Sequence, residues 1–412
     1  VDTAQQTRVS VIIPTYNRSG LLAGTLETLC AQRVPAGGFE VIVADDGSAD
    51  DTEQVARSFA GRLRLRYCFQ EDQGFRVAAA RNAGAGLAAA PVLAFLDCGT
   101  LTGPDFVCGH AAAHAPGDGA RVVLGYCFGY RPPLDDVPWL AGELNDLAPA
   151  LIVARHRDEP AFQDVRHSAL AKAGFDLSRH AMPWIFCYAM NFSVSADAFW
   201  QAGGFDESFQ SWGGEDLDLG YRLFQRGVPF AVSRAAWTIE VPHERRLKAN
   251  RQSNKRNLLR MLREHCEPFM ELVCAAELRG QLSPDEADSA ALRDWTRDAA
   301  DLDVLGELTE AARDVPAGAS VAVFGCGPAI PPSLPGCILL DFDRRLLASA
   351  LASGGHTGYQ LIGLRTPLRA GSVDIVFLTS RLSGLESRWG SMIRAEAHRI
   401  GRQVRGPLSV GQ

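Results

Sequence analysis

What most constrains this 412-residue chain is a regular alternation of short β-branched runs with helical patterns over its first hundred residues. RVSVII, residues 8–13, reads as a buried strand that Pro14 ends. Residues 18–32 follow as a helix, with Leu21, Leu22, Leu26 and Leu29 at helical spacing. Residues 39–43 read as a second strand, 51–60 as a helix, 64–69 as a third strand, 76–89 as a third helix and 92–96 as a fourth strand. Such alternation predicts an α/β domain with a largely parallel sheet. Ligands of such sheets sit at the carboxyl ends of the strands. Three polar clusters, 14–17, 45–48 and 97–100, fall at those ends.

Four segments stand in this order: VSVIIPTYNR, VIVADDGSADDT, QGFRVAAARNAG and VLAFLDCG. Together they resemble the family 2 glycosyltransferases of the GT-A fold, over roughly residues 8–110. The resemblance implies a UDP-sugar donor lying across Pro14, Thr15, Tyr16 and Asn17, then Asp45 and Asp46, then Arg76, Arg81 and Asn82, then Asp97. The residue types suit that task. Pro14, Thr15 and Tyr16 offer a wall and backbone contacts for a base. Asp46 can accept from a uracil imide while Asp45 fixes the loop. Gly47 and Ser48 allow a sharp turn, although a turn capping the next helix explains the same residues. The planar fork of Arg81 suits phosphate or sugar hydroxyls. Arg76 reads equally as an exposed charge at a helix start.

The fourth segment departs from the family pattern. Asp-x-Asp is usual there, its carboxylates holding a divalent metal on the diphosphate, but this chain has Asp97-Cys98-Gly99. Mn²⁺ or Mg²⁺ wants oxygen ligands, so Asp97 is left to serve alone or with a distant partner. Cys98 is a soft ligand or a packed side chain.

GGFDESFQSWGGEDLDLGYRLFQRG, residues 203–227, resembles the C-terminal part of the galactosyltransferase and N-acetylgalactosaminyltransferase families, and of bacterial polymerases such as chondroitin synthase. Trp212 to Asp216 match their Trp-Gly-x-Glu-Asp motif. The resemblance implies catalysis by Asp216 as general base, with Glu215 on substrate hydroxyls. Trp184, Trp212, Gly213 and Gly214 would shape the acceptor side. Adjacent carboxylates at a helix start are also favoured by the helix dipole, which leaves a purely structural reading open. Asp218 suits a supporting role. His243 falls where these families place a metal-ligating histidine, so Asp97 and His243 form the expected metal pair; a hydrogen-bonded loop histidine is the alternative. Arg245, Arg246, Lys248, Arg251, Lys255 and Arg256 read either as a lid over the diphosphate or as a solvated basic helix. Residues 184–194 read as strand-like.

Residues 320–379 resemble the class I methyltransferase pattern, with Gly325-Cys326-Gly327 as the glycine loop and Asp341 or Asp343 as the ribose acid. Val323 and Ala329 depart from that pattern, and the chain leaves no room for the last strands. The expectation is a truncated Rossmann-like module serving packing, partner or acceptor recognition, or homo-oligomer formation; methyl transfer from S-adenosylmethionine is the alternative.

The expected divisions are therefore 1–110 (nucleotide-sugar half) and 111–255 (acceptor half) of a GT-A domain, 256–316 (helical linker) and 317–412 (the smaller α/β module). Net charge is −7, which argues against nucleic-acid or membrane-surface partners. The ten cysteines contain no CxxC, so neither a zinc site nor a disulfide framework is expected. The N-terminal segment lacks a signal-peptide core and no apolar run spans a bilayer, so the expected location is the cytoplasm. Abundant Ala, Gly and Arg suit a high-GC bacterial genome. The acceptor is left open among glycan, peptide and small metabolite. A nucleotidyltransferase also uses acids at strand ends but has no use for Trp-Gly-Gly-Glu-Asp. The rival from another class is a non-catalytic nucleotide-sugar-binding or scaffold protein.

Overall fold

A computed structural model describes residues 7–115, 117, 119–130, 137–244 and 247–406, the side chain of Leu247 excepted. The chain divides into two compact units, Val1–Asn254 and Lys255–Gln412. Residues 256–316, expected as a linker, fall within the second.

The first unit is an eight-stranded mixed sheet. Its strands are β1 (Val9–Thr15), β2 (Phe39–Asp45), β3 (Leu65–Phe69), β4 (Val92–Leu96), β5 (Thr100–Thr102), β6 (Val122–Phe128), β7 (Asn191–Ser195) and β8 (Phe230–Glu240). Their order is β3-β2-β1-β4-β7-β6-β8-β5. β1 to β4 pair in parallel, β7 runs antiparallel to both β4 and β6, and β5 runs antiparallel to β8. The helices are α1 (Ser19–Cys30), α2 (Thr52–Ser58), α3 (Val77–Leu87), α4 (Phe106–Ala113), α5 (Leu140–Asp146), α6 (Pro149–His156), α7 (His167–Lys172), α8 (Ala196–Gln201) and α9 (Glu215–Gln225); α10 (Leu247–Glu264) crosses the division.

The central strands β1, β2 and β4 are buried on both faces, as a parallel sheet covered by helices requires. Val11, Ile13, Val41, Val43, Ala94 and Leu96 meet Leu22, Leu26 and Leu29 of α1 and Phe106 of α4 on one side. On the other, Phe95 gathers Phe192, Phe199 and Phe205 at centroid distances of 5.1, 5.3 and 5.1 Å.

Two local expectations are corrected. Pro14 does not end β1, which continues to Thr15. β1 pairs with β2 as far as Thr15 but with β4 only as far as Ile12. Pro14 thus stands where one side of the strand is already open and a missing N–H is tolerated. Residues 184–190 are not strand: Pro183–Phe186 forms a 3₁₀ turn, and β7 starts only at Asn191. Asn191 interrupts the apolar run for a reason. The β6–β8 ladder breaks its register after Gly125, and the buried Asn191 amide fills the break. Its Nδ2 donates to the Ala236 carbonyl (2.8 Å) and Thr238 Oγ1 (3.2 Å), and its Oδ1 bonds to His110 Nε2 (3.0 Å).

The second unit holds β9 (Val321–Phe324), β10 (Ile338–Leu340), β11 (Thr357–Tyr359), β12 (Val373–Leu378) and β13 (Gly401–Arg405), with α11 (Pro268–Leu278), α12 (Glu286–Asp298), α13 (Leu305–Ala311), α14 (Arg344–Leu351) and α15 (Glu386–Ile400). Its sheet order is β11-β10-β9-β12-β13, parallel throughout. Among the described residues, no helix is long and apolar enough to cross a membrane.

Candidate active site

The β1 and β2 ends interlock through their polar clusters. The Asn17 N–H donates to Ser48 Oγ (2.7 Å), and the Ala49 N–H donates to Asn17 Oδ1 (2.7 Å). Asp45 Oδ1 accepts the N–H groups of Gly47 and Ser48, and its Oδ2 accepts the Tyr67 hydroxyl (2.7 Å). Asp45 therefore fixes the loop. Asp46 accepts from Gln70 Nε2 (2.5 Å) and the Arg76 N–H (2.8 Å), and burial raises its pKa. Gly47 lies at φ +95°, and a Cβ there would stand 2.4 Å from the Asp72 nitrogen, so only glycine lets these loops close. Pro14 and Thr15 are buried and offer backbone rather than a wall. Tyr16 is 44% exposed, its hydroxyl donating to Asp72 (2.8 Å); it is the ring at this edge that a flat base can meet. The Arg76 side chain donates to Gln73 Oε1, 2.9 Å away.

Arg81 is placed differently from expectation. Its side chain is 4% exposed, with Nη2 on Asp97 Oδ1 (2.9 Å) and Nη1 on Glu215 Oε1 (2.9 Å). A guanidinium committed to two protein carboxylates does not present its fork to a phosphate. Asn82 is also corrected. Its Nδ2 donates to the Phe205 carbonyl and Glu207 Oε1, and its Oδ1 accepts the Phe205 N–H. It ties α3 to the 203–207 turn.

The Arg81 bridge brings the end of β4 to the start of α9. A second link runs through the backbone before β7. The Asp97 N–H donates to the Met190 carbonyl (3.2 Å), and the Ala189 N–H donates to Asp216 Oδ2 (3.1 Å). Asp216 Oδ1 accepts the Leu217 N–H (2.8 Å). Burial and the neighbouring Glu215 charge push the Asp216 pKa up to about 7, against the opposing pull of Arg81. Glu215 is buried, and its Oε2 has no hydrogen-bond partner among the described residues. An unsatisfied buried carboxylate oxygen is costly unless a ligand hydroxyl or water supplies the donor.

Gly213 and Gly214 both hold left-handed φ, +92° and +96°, which fits two consecutive glycines leading into α9. A Cβ on Gly213 would press on Asn254 Oδ1 at 2.7 Å. Trp212 is partly exposed. Trp184 is not: it is fully buried, edge-on to Tyr221 at 5.0 Å. The expected acceptor role of Trp184 is therefore withdrawn, because its ring is core. Asp218 pairs with Arg222 (2.7 Å) and is buried, a structural role.

The metal pair can be tested on geometry. The Asp97 side chain is 41% exposed, and its bond to Arg81 uses Oδ1. The Val241 N–H donates to the Gly99 carbonyl (2.9 Å), which sets 241–243 beside 97–99. His243 Nδ1 lies 3.0 Å from the Val241 carbonyl; that bond holds the ring proton on Nδ1 and makes Nε2 the basic nitrogen. Carboxylate oxygen and imidazole nitrogen suit Mn²⁺. Cys98 is a packed side chain: it is buried, with its sulfur 3.5 Å from Thr15 Oγ1 and 3.8 Å from the Arg18 carbonyl. Gly99 explains the missing acid: φ is +91° there, with Leu21 3.3 Å from where a Cβ would stand. Arg245 and Arg246 of the expected lid lie outside the described residues. Lys248 and Arg251 are exposed, and Lys255 and Arg256 belong to the second unit.

Sequence reasoning missed Tyr67 and Gln70, which hold Asp45 and Asp46 at the carboxyl end of β2. Periodicity shows which face a strand residue takes but not which loop residue returns to an acid.

The second unit has its own glycine loop. In a parallel sheet of this order, ligands bind where the order reverses, at the carboxyl ends of β9 and β12. Arg381 fills that place. It is wholly buried, with Nε on Asp341 Oδ2 (3.0 Å), Nη2 on Asp341 Oδ1 (3.2 Å) and Nη1 on the Leu302 carbonyl (3.2 Å). The Gly327 N–H donates to the same Asp341 (2.9 Å), and Thr379 Oγ1 donates to the Gly325 carbonyl (2.6 Å). Asp343 caps α14. Neither expected ribose acid is open to a ribose: Asp341 is sealed by Arg381, and Asp343 is turned to its own helix.

Residues 10–149 match the model described as glycosyl transferase family 2, and 172–245 match the N-terminal domain of galactosyltransferase. The chain is 43% identical to validoxylamine A glucosyltransferase of Streptomyces hygroscopicus subsp. limoneus, over 98% of this chain and 91% of that protein. It is also 43% identical to the protein of that name from Streptomyces hygroscopicus subsp. jinggangensis (strain 5008), over 97% and 96%. Chondroitin synthase of Escherichia coli is 30% identical over 63% of this chain and 39% of that protein. The chain belongs to glycosyl transferase family 2 and is a glycosyltransferase.

Proposed function

We propose that the enzyme transfers a hexose from a UDP-sugar to a hydroxyl of a small polyol acceptor, inverting the anomeric centre. The names of two relatives, validoxylamine A glucosyltransferases, together with the UDP-sugar donor that the family resemblance implies, make UDP-glucose and validoxylamine A the first pair to test. The observation that carries this reading is the placement of Asp216: it follows the buried Glu215 at the start of α9, accepts the Ala189 N–H, and is linked through residues 189–190 to Asp97 at the end of β4, while burial and the Glu215 charge raise its pKa.

In this mechanism Tyr16 faces the base and Asp46 accepts its imide. The acceptor O–H proton passes to Asp216 as the oxygen bonds to the anomeric carbon. The bond from that carbon to the diphosphate oxygen breaks, and UDP leaves with the electron pair. Glu215 Oε2 takes a substrate hydroxyl. Asp97 and His243 would hold Mn²⁺ or Mg²⁺, which when bound offsets charge on the departing diphosphate. Arg81 keeps Asp97 and Glu215 at fixed separation.

The test is UDP release from UDP-glucose with Mn²⁺, with and without validoxylamine A, followed by product mass. Release that rises with acceptor, and a product heavier by one hexose, is expected. No hydrolysis or transfer from any UDP-sugar would favour a binding or scaffold role instead.

A further inference from the structure

Two half-buried tyrosines flank the acid cluster and have no part in the mechanism above. Tyr188 stands immediately before Ala189, whose N–H holds Asp216. Tyr130 follows the end of β6, with its carbonyl accepting the Val165 N–H (3.1 Å). The two rings lie 5.9 Å apart between centroids and are tilted by 48°. Beneath Tyr188 the Arg166 guanidinium sits 5.2 Å from the ring centre, itself locked by Asp164 (2.6 Å) and by the carbonyls of Phe186 and Gly125. That buried pair makes a rigid floor, so the position of the Tyr188 ring is built rather than incidental.

Among the tyrosines of the first unit, the phenol groups set these two apart. Tyr16, Tyr67, Tyr126 and Tyr221 all make a side-chain hydrogen bond through the hydroxyl. Among the described residues neither Tyr130 nor Tyr188 has one. Both hydroxyls stay protonated at neutral pH. Burial and then the negative charges of Glu240 and Asp216 hold the Tyr130 phenol well above its ordinary range, and burial pushes Tyr188 up to about 12. Each is thus a fixed O–H donor on an apolar ring, next to the proposed base. Aromatic faces with hydroxyl donors are the usual means of gripping a polyhydroxylated ring, whose C–H face packs while its oxygens accept.

We propose that Tyr130 and Tyr188 form the wall of the acceptor subsite, gripping a hydroxylated six-membered ring so that one hydroxyl meets Asp216. This rests on the transferase mechanism above and names the residues that select its acceptor. The sequence reading had pointed to Trp184 for this task, but that ring is core. Tyr188, four residues further on, stands beside the base.

The experiment measures initial rates with UDP-glucose and Mn²⁺ while validoxylamine A is varied, and if wild type refuses it, with whichever hexose or cyclohexitol of a panel wild type accepts. Tyr188→Ala and Tyr130→Ala should raise the acceptor KM by about tenfold or more. The Kd for UDP, measured calorimetrically, should stay within about twofold. Tyr188→Phe should recover most of the acceptor KM by restoring the face, while Tyr130→Phe should recover only part. If both alanine variants keep the wild-type acceptor KM, or if UDP affinity falls as far as acceptor affinity, the wall assignment is wrong and the transferase reading stands. If wild type turns over no UDP-sugar, the transferase reading fails and the assignment goes with it.

Discussion

A carboxylate that takes a proton at neutral pH works best with a pKa near the working pH, and Asp216 reaches about 7 through burial and the charge of Glu215. The base must be ionised to act. The kcat/KM for transfer should therefore be flat above pH 7 and fall about tenfold per unit below it. A limb near pH 4 would remove Asp216 from the role. Asp216→Asn keeps one acceptor for the Ala189 and Leu217 N–H groups but no basicity. It should lower kcat by about 10²–10⁴-fold with UDP affinity retained. Arg81 supplies the opposing pull, so removing its charge has a readable consequence. Arg81→Met leaves Asp97 and Glu215 uncompensated and should cost about 3–5 kcal/mol of stability, measured by urea unfolding. In the surviving folded protein the acid limb should move to higher pH, because the charge that lowers the Asp216 pKa is gone. An unmoved limb would mean that another group titrates there.

Strand ends were legible because β-branched runs and helical leucine spacing are local properties. The acids at those ends were legible for the same reason. What they touch was not. Arg81 reads in sequence as a donor contact, yet the fold turns it inward between Asp97 and a glutamate 134 residues away. Trp184 lies in an apolar run that periodicity alone could not divide between turn and strand. The 97–99 turn shows both sides of this. The absent acid was plain in the sequence, but its physical reason is a left-handed backbone at Gly99. Restoring the family's carboxylate there has a definite expected outcome. Gly99→Asp forces a side chain into a conformation that costs about 1–3 kcal/mol, with Leu21 in the way. It should lower the melting temperature without tightening Mn²⁺ binding in a calorimetric titration. Tighter metal binding at unchanged stability would show that the turn relaxes to admit the acid and that glycine was not required.

The second unit poses the question of what a nucleotide-type fold does once its crevice is filled. Arg381 and Asp341 are both fully buried and bonded to each other twice, with the glycine loop closed onto the same carboxylate. A second internal clamp repeats the device. The buried Glu271 of α11 accepts the N–H groups of Ile362, Gly363, Leu364 and Arg365. Four backbone donors converging on one anion are the arrangement by which proteins bind phosphate, and here a side chain of the same unit supplies the anion. Both sites are therefore satisfied from within, and an incoming adenosyl cofactor would first have to displace a buried ion pair. Removing one partner of such a pair typically costs about 3–5 kcal/mol. The expected outcome is that S-adenosylmethionine at millimolar concentration leaves the melting curve of the full chain unshifted. Arg381→Ala should unfold at lower urea, because Asp341 is left charged and unpaired. Glu271→Gln should do the same, since an amide nitrogen then faces N–H donors. The two losses should be additive within about 0.5 kcal/mol, as expected of separate sites. A melting shift with S-adenosylmethionine in the wild-type chain would mean that Arg381 yields to the cofactor, and that the module binds ligand rather than serving as a sealed scaffold.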